Sequence, residues 1–98
     1  MRLTFAERQA IVEEIRNSRP DAEIFLYGSR VDDSLKGGDI DVLAIAACAE
    51  LRDRIDIVLA IKSRIGEQRI DLKLVTPQQA ADDEFVQSVL PGAARLDI

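Results

Sequence analysis

GSRVDDSLKGGDIDVLA, residues 28–44, is the stretch on which the reading of this chain turns. It is entered from an apolar run, EIFLY at residues 23–27. That run is apolar on both parities, as a strand covered on both faces must be. Gly28-Ser29 ends it. Arg30 to Leu35 could then form one helical turn before Gly37-Gly38 break it. From Asp39 to Ala46, DIDVLAIA reads as a second buried strand. Nine residues separate Ser29 from Asp39, and a parallel crossover needs about a dozen or more. The two strands are therefore expected to run antiparallel.

Working outward, Thr4 and Glu7 have the spacing of a helical capping box. Phe5, Ile11, Val12 and Ile15 follow at helical intervals, which predicts a helix over about 5–17, stopped by Asn17, Ser18 and Pro20. Downstream, Leu51, Ile55, Val58, Leu59, Lys62 and Ile65 mark one face of a helix from about 50 to 65, closed by Gly66. RIDLKLV, residues 69–75, is a third strand. More than twenty residues containing a helix join it to the second, which suits a right-handed parallel crossover. Pro77 to Leu90 is expected to be helical, with Pro91-Gly92 interrupting it. The fold class is α/β (α+β): a small mixed sheet of three or more strands flanked by helices, in the order α-β-(turn)-β-α-β-α. Gly28-Ser29, Asp39/Asp41 and Asp71 then fall on one edge of that sheet.

Length and composition bound the rest. Ninety-eight residues, 47% hydrophobic and 32% charged, predict one globular domain over residues 1–98. Such a domain leaves no room for a substrate domain, so a large acceptor would be held by another chain. Net charge is −5 with scattered basic residues, which argues against stable nucleic-acid binding by this chain alone. One cysteine and no histidine exclude a disulfide framework and make structural zinc improbable. A bound metal would be a hard cation on carboxylates. The N-terminal MRLTFAERQA becomes charged too early for a signal peptide, and no apolar run approaches a membrane span, so a cytoplasmic protein is expected.

The chemistry-bearing residues are ambiguous taken singly. Strand side chains alternate, so Asp39 and Asp41 share a face that continues into Leu43 and Ile45. Carboxylates on a core-facing parity are costly unless a cation or hydrogen bonds meet them, although both could lie in water at a frayed strand end. Gly28-Ser29 could let a phosphate approach the backbone, or be an ordinary turn. Asp71, at the mouth of the third strand, could equally be solvated. Three such carboxylates converging beside a glycine turn would suit two divalent ions. Arg30 could reach a phosphate but reads first as an exposed turn residue, with Asp32 and Asp33 as acids starting that turn. Lys73 is expected to pair with Asp71, Cys48 to be buried or half-buried, and Tyr27 to be core.

Taken jointly, GSRVDDSLKGGDIDVLA and the later RIDLKLV resemble the signature of minimal nucleotidyltransferases of the DNA polymerase β superfamily. In that pattern Gly-Ser is followed after about ten residues by Asp-x-Asp, then by a lone aspartate on the next strand. The nine-residue spacer here is slightly short. The tail EFVQSVLPGAARL is similar to the C-terminal segment of these proteins. The resemblance implies a nucleotidyltransferase fold that transfers a nucleotidyl group, AMP from ATP or that of another NTP, with two Mg²⁺ ions that Mn²⁺ can replace. It implies that Gly28 and Ser29, with Arg30 nearby, hold the phosphates, and that Asp39 and Asp41 bind both metals. Asp71 would ligate the catalytic metal and help deprotonate the acceptor. Such proteins pair with a small all-helical HEPN-type partner as toxin–antitoxin systems, the nucleotidyltransferase adenylylating its partner. The competing reading is a non-catalytic nucleotide-binding or antitoxin module that acts by holding that partner.

Overall fold

The computed structural model describes residues 2–32 and 38–97. A four-stranded mixed sheet runs in the order β3-β2-β1-β4. Its strands are β1 (Glu23–Tyr27), β2 (Ile40–Ile45), β3 (Ile70–Val75) and β4 (Ala94–Arg95). β1 and β2 are antiparallel, with Tyr27 opposite Asp41, and β2 and β3 are parallel, with Asp41 beside Asp71. The connection lengths had dictated both directions. The expected turn is present as a 3₁₀ turn, Gly28–Val31, which starts earlier than anticipated. Asp32 closes that turn instead of starting it. The rest of the anticipated turn, with Asp33, lies outside the described residues.

Strand alternation divides the core in two. Ile24 and Leu26, then Ile40, Val42 and Ala44, then Leu72 face α1 (Phe5–Ser18) and α2 (Leu51–Ile65). Tyr27, Leu43 and Val75 face the opposite way, towards α3 (Pro77–Asp82) and α4 (Glu84–Val89). β1 and most of β2 are thus apolar on both parities because both of their faces are covered, whereas β3 carries Asp71 and Lys73 on one parity.

Helix α1 starts as its capping box requires. The Thr4 hydroxyl accepts from the Glu7 amide at 3.1 Å, and the Glu7 carboxylate accepts from the Thr4 amide at 2.9 Å. Glu7 is buried, and its second oxygen accepts from Gln68 at 2.6 Å. Burial alone would raise its pKa; the hydrogen bonds and the nearby Arg30 outweigh that and hold it low. Phe5, expected on the buried face, is instead 70% exposed.

Helix α2 is rotated from the expected face. Ile57 and Ile61 are buried, with Val58 and Ile65 packed beside them, whereas Leu51, Ile55 and Leu59 lie outside. The helix carries two apolar stripes at helical spacing, and periodicity cannot choose between them. Ion pairs to α1 and its C-cap match the observed rotation: Asp53 meets Arg19, and Arg64 meets Glu13 and Glu14 at 2.9 and 3.0 Å. They accompany the rotation that buries Ile57 and Ile61, and as partly exposed ion pairs they add little to what burial supplies.

The tail is two short helices instead of one. Asp83 ends α3 and caps α4, its Oδ1 accepting from the amides of Phe85 and Val86 at 2.9 and 3.2 Å. Beyond Pro91-Gly92 the chain adds β4, pairing antiparallel with β1, and seats Leu96 fully in the core. Cys48 is exposed, contrary to expectation, because Ala47 and Cys48 lie beyond the last strand residues.

The rotation of α2 is directly testable. Ile61→Ala, at a fully buried position, should cost about 2–5 kcal/mol of unfolding free energy. Leu59→Ala, at a position 61% exposed, should stay within about 0.5 kcal/mol in dilute solution. Urea unfolding of the two variants distinguishes the faces.

Candidate active site

The C-terminal end of β1 and the N-terminal ends of β2 and β3 meet at one edge of the sheet, as the strand directions require. Gly28 leaves β1 with φ +77°, a left-handed conformation that side chains disfavour. A second constraint is spatial: a Cβ on Gly28 would stand 2.4 Å from Asp41 Oδ2. The carboxylate of Asp41 therefore rests against the glycine α-carbon, and only glycine accommodates it. Gly38 repeats the arrangement from the other strand. Its φ is +88°, and a Cβ there would stand 2.6 Å from Ser29 Oγ. The Gly-Ser turn and the residues entering β2 are thus fitted to each other.

Asp41 and Asp71 are register partners on adjacent parallel strands, so their side chains leave the same face of the sheet. Asp41 is half-buried and Asp71 exposed. Burial, then the charges of Asp71 and Asp39, push the Asp41 carboxyl above the ordinary aspartate range. Tyr27, opposite Asp41 across the strand pair, is pushed up to about 12 by burial and by Asp71 and Asp41. Reading Tyr27 as core was correct in burial but missed its place beside the acids. The antiparallel register that pairs it with Asp41 carries that signal.

Asp39 stands one step back. Its Oδ1 lies 3.7 Å from Nε of the largely exposed Arg69. Among the described residues no three acidic side chains are gathered closely enough to share one ion as they stand. The structure thus brings Asp41 and Asp71 side by side, with Asp41 against Gly28, and sets Asp39 within electrostatic reach of Asp41. Their carboxylate oxygens are the donors a hard divalent cation takes, and Asp41 is compressed by like charges that such a cation would relieve.

Two clefts flank this row. One of about 390 Å³ lies beside Asp71 and is lined by Tyr27, Arg54, Lys73 and Phe85. The other, about 360 Å³, lies beside Asp39 and is lined by Arg30, Gly38, Gln68 and Arg69. Lys73 pairs with Asp83 at 3.1 Å instead of with Asp71, because the Asp83 cap brings its second oxygen over the strand. Nζ of Lys73 also sits 5.8 Å above the Phe85 ring. Arg30 is half-buried instead of exposed. Its guanidinium donates to the Arg2 carbonyl at 2.9 Å and lies 4.0 Å from Glu7. Arg69, Arg54 and Phe85 were not singled out in the sequence; only their nearness to Asp39 and Asp71 once the strands are aligned marks them.

No family model matches the chain, and no curated protein matches it. Solved structures do. One is the tri-AMPylated Shewanella oneidensis HEPN toxin in complex with MNT antitoxin, at TM-score 0.64 and 21% identity, covering 93% of this chain and 69% of the other. A mutant of the toxin–antitoxin pair MntA–HpeT matches at TM-score 0.69 and 19% identity, covering 92% and 71%. A presumptive nucleotidyltransferase matches at TM-score 0.63 and 26% identity, covering 91% of this chain and 96% of that one.

The raised Asp41 carboxyl has a stability consequence. The folded state binds more protons than the unfolded chain, so the stability Asp41 contributes is full below the ordinary aspartate pKa and is lost as pH rises through the raised value. At pH 7 without divalent ions, Asp41→Asn should therefore melt a few degrees above wild type, a gain that shrinks with added salt. Equal midpoints for the two proteins at pH 7 would remove the repulsion from this account. In strand directions, in the Gly28-to-Asp71 edge and in its structural neighbours, the chain has the nucleotidyltransferase fold of minimal nucleotidyltransferases.

Proposed function

We propose that the chain is a metal-dependent nucleotidyltransferase that moves AMP from ATP, or the corresponding group of another NTP, to an acceptor held by a separate chain. The observation that carries this reading is the Asp41 carboxylate, pressed against the Gly28 α-carbon with Asp71 in register beside it. A glycine with open backbone next to two adjacent carboxylates is what a metal-bound triphosphate requires: phosphate oxygens approach the backbone while anionic side chains supply ligands. Gly28 and Ser29 would receive the phosphates, Ser29 donating its hydroxyl. Arg30 reaches them only by releasing the Arg2 carbonyl, so its contribution would be secondary to theirs.

Asp39, Asp41 and Asp71 would hold two Mg²⁺ ions, or Mn²⁺ in their place. Bound there, the ions would neutralise the triphosphate and acidify the acceptor hydroxyl. Asp41, between its two acidic neighbours, would be the shared ligand. Asp71 is the most exposed of the three and opens onto a cleft, which supports the reading that its carboxylate would accept the acceptor's proton. Tyr27 would stay protonated throughout, its hydroxyl held far above neutral pH.

The acceptor would be a HEPN-type helical protein in a toxin–antitoxin pair. The support is that two structural neighbours are toxin–antitoxin complexes, one of them with a HEPN toxin. One observation favours the second reading, a module that binds its partner without catalysis: Asp39 leans towards Arg69 instead of joining the other two acids.

Transfer of label from α-labelled ATP to a co-expressed HEPN-type protein separates the readings. Asp39→Asn and Asp41→Asn should each lower transfer by about 10²-fold or more while partner binding persists. Retention of more than about a tenth of the activity in either variant would sink the catalytic assignment. Ser29→Ala should weaken nucleotide binding roughly ten- to a hundredfold, the effect of losing one hydrogen bond to a charged acceptor.

A further inference from the structure

The outer face of α2 carries Leu51, Ile55 and Leu59, which are 66%, 46% and 61% exposed. Each four-residue step turns about 40° round the helix, so the three span about 80° in a stripe about 12 Å long. A stripe of three large aliphatic side chains in water is a feature that monomeric proteins tend to bury. The pattern is symmetric about Ile55, since Leu51 and Leu59 lie equally far on either side. The flanking charges have a matching symmetry. Arg52 and Asp56 are both exposed and stand about 60° and 100° round the helix from Ile55, on the same side.

We propose that this stripe is the contact of a homodimer, in which α2 pairs antiparallel with α2 of a second copy about a two-fold axis at Ile55. In that arrangement Ile55 meets its own copy and Leu51 meets the second copy's Leu59. The axis keeps the charged flank of one helix beside that of the other. Arg52 then stands within about 3 Å, measured along the helices, of the level of the second copy's Asp56, and symmetry forms this pair twice. A face whose apolar stripe and flanking charges both match themselves under the two-fold selects a second copy over an unrelated partner. Asp41 and Asp71 lie on the side of the sheet facing α3 and α4, so pairing through α2 leaves both acid rows open. Two helical turns bury less than the roughly 1,200 Å² of a standard interface, so the dimer should be weak and dependent on concentration.

Sedimentation equilibrium of the whole chain, from micromolar to about millimolar concentration, tests this. Wild type should show a monomer–dimer equilibrium, and Ile55→Arg should remain monomeric. Arg52→Asp and Asp56→Arg should each weaken the dimer about tenfold, the effect of two lost surface pairs. Their combination should return the dissociation constant to within about threefold of wild type. Circular-dichroism melting confirms that each variant folds. A wild-type chain that stays monomeric throughout overturns the proposal. So does a dimer indifferent to Ile55→Arg, or one in which the double exchange fails to restore what the single reversals lose.

Discussion

The contact between Gly28 and the Asp41 carboxylate is the constraint from which the rest of the site follows. A side chain at residue 28 would push that carboxylate away, and the positive φ independently disfavours one. The turn that leaves β1 must therefore pass directly beside the acid that enters β2. That requires β1 and β2 to be neighbours running antiparallel, with Tyr27 opposite Asp41. Once β2 is placed, the parallel crossover through α2 delivers Asp71 to the next position along the edge. The edge thus gathers negative charge that the fold itself does not neutralise at Asp41, whose electrostatic neighbours Asp39 and Asp71 are both acids. Two other acids show the contrast. Glu7 is ringed by Thr4, Gln68 and Arg30, and Asp83 is held low by Lys73 and by the amides of α4. At Asp41, beside the glycine turn, the neighbouring charges instead repel. Uncompensated charge in a cleft is a common mark of a binding site.

Much of this was legible in the sequence because it depends on chain length and strand parity. Nine residues between Ser29 and Asp39 forbid a parallel crossover, and more than twenty between β2 and β3 permit one. Those two counts align Gly28, Asp41 and Asp71 without reference to any side-chain contact. Thr4 and Glu7 announce the start of α1 for the same reason, since a capping box is a local pattern.

What stayed hidden depends on partners distant in sequence. Helix α2 offers two apolar stripes; the one that faces inward is settled by its packing against the sheet and α1, with Arg19 against Asp53 and Arg64 against Glu13 and Glu14 alongside. Lys73 has an acid on its own strand, yet it reaches Asp83 because that residue caps a helix packed over the sheet. Strand β4 has two residues and no alternation to read; its place depends on Leu96 being drawn into the core, where its amide donates to the Ile24 carbonyl at 2.8 Å. Asp39 likewise shares parity with Asp41 in the sequence, but the guanidinium of Arg69 draws its carboxylate aside.

The central claim is that the acid row binds a metal–nucleotide complex in the folded state. Thermal melting at pH 7, with millimolar Mn²⁺ and then with a non-hydrolysable ATP analogue, measures that claim without knowledge of the acceptor. A ligand that binds only the folded protein stabilises it by about 2.7 kcal/mol at a hundred times its dissociation constant. For a chain of this size that raises the midpoint by roughly ten degrees or more. The account requires Mn²⁺ to raise the wild-type midpoint, the nucleotide to raise it further, and Asp41→Asn to lose most of both shifts. A wild-type midpoint that moves with neither addition, or an Asp41→Asn variant that keeps both shifts, would contradict it.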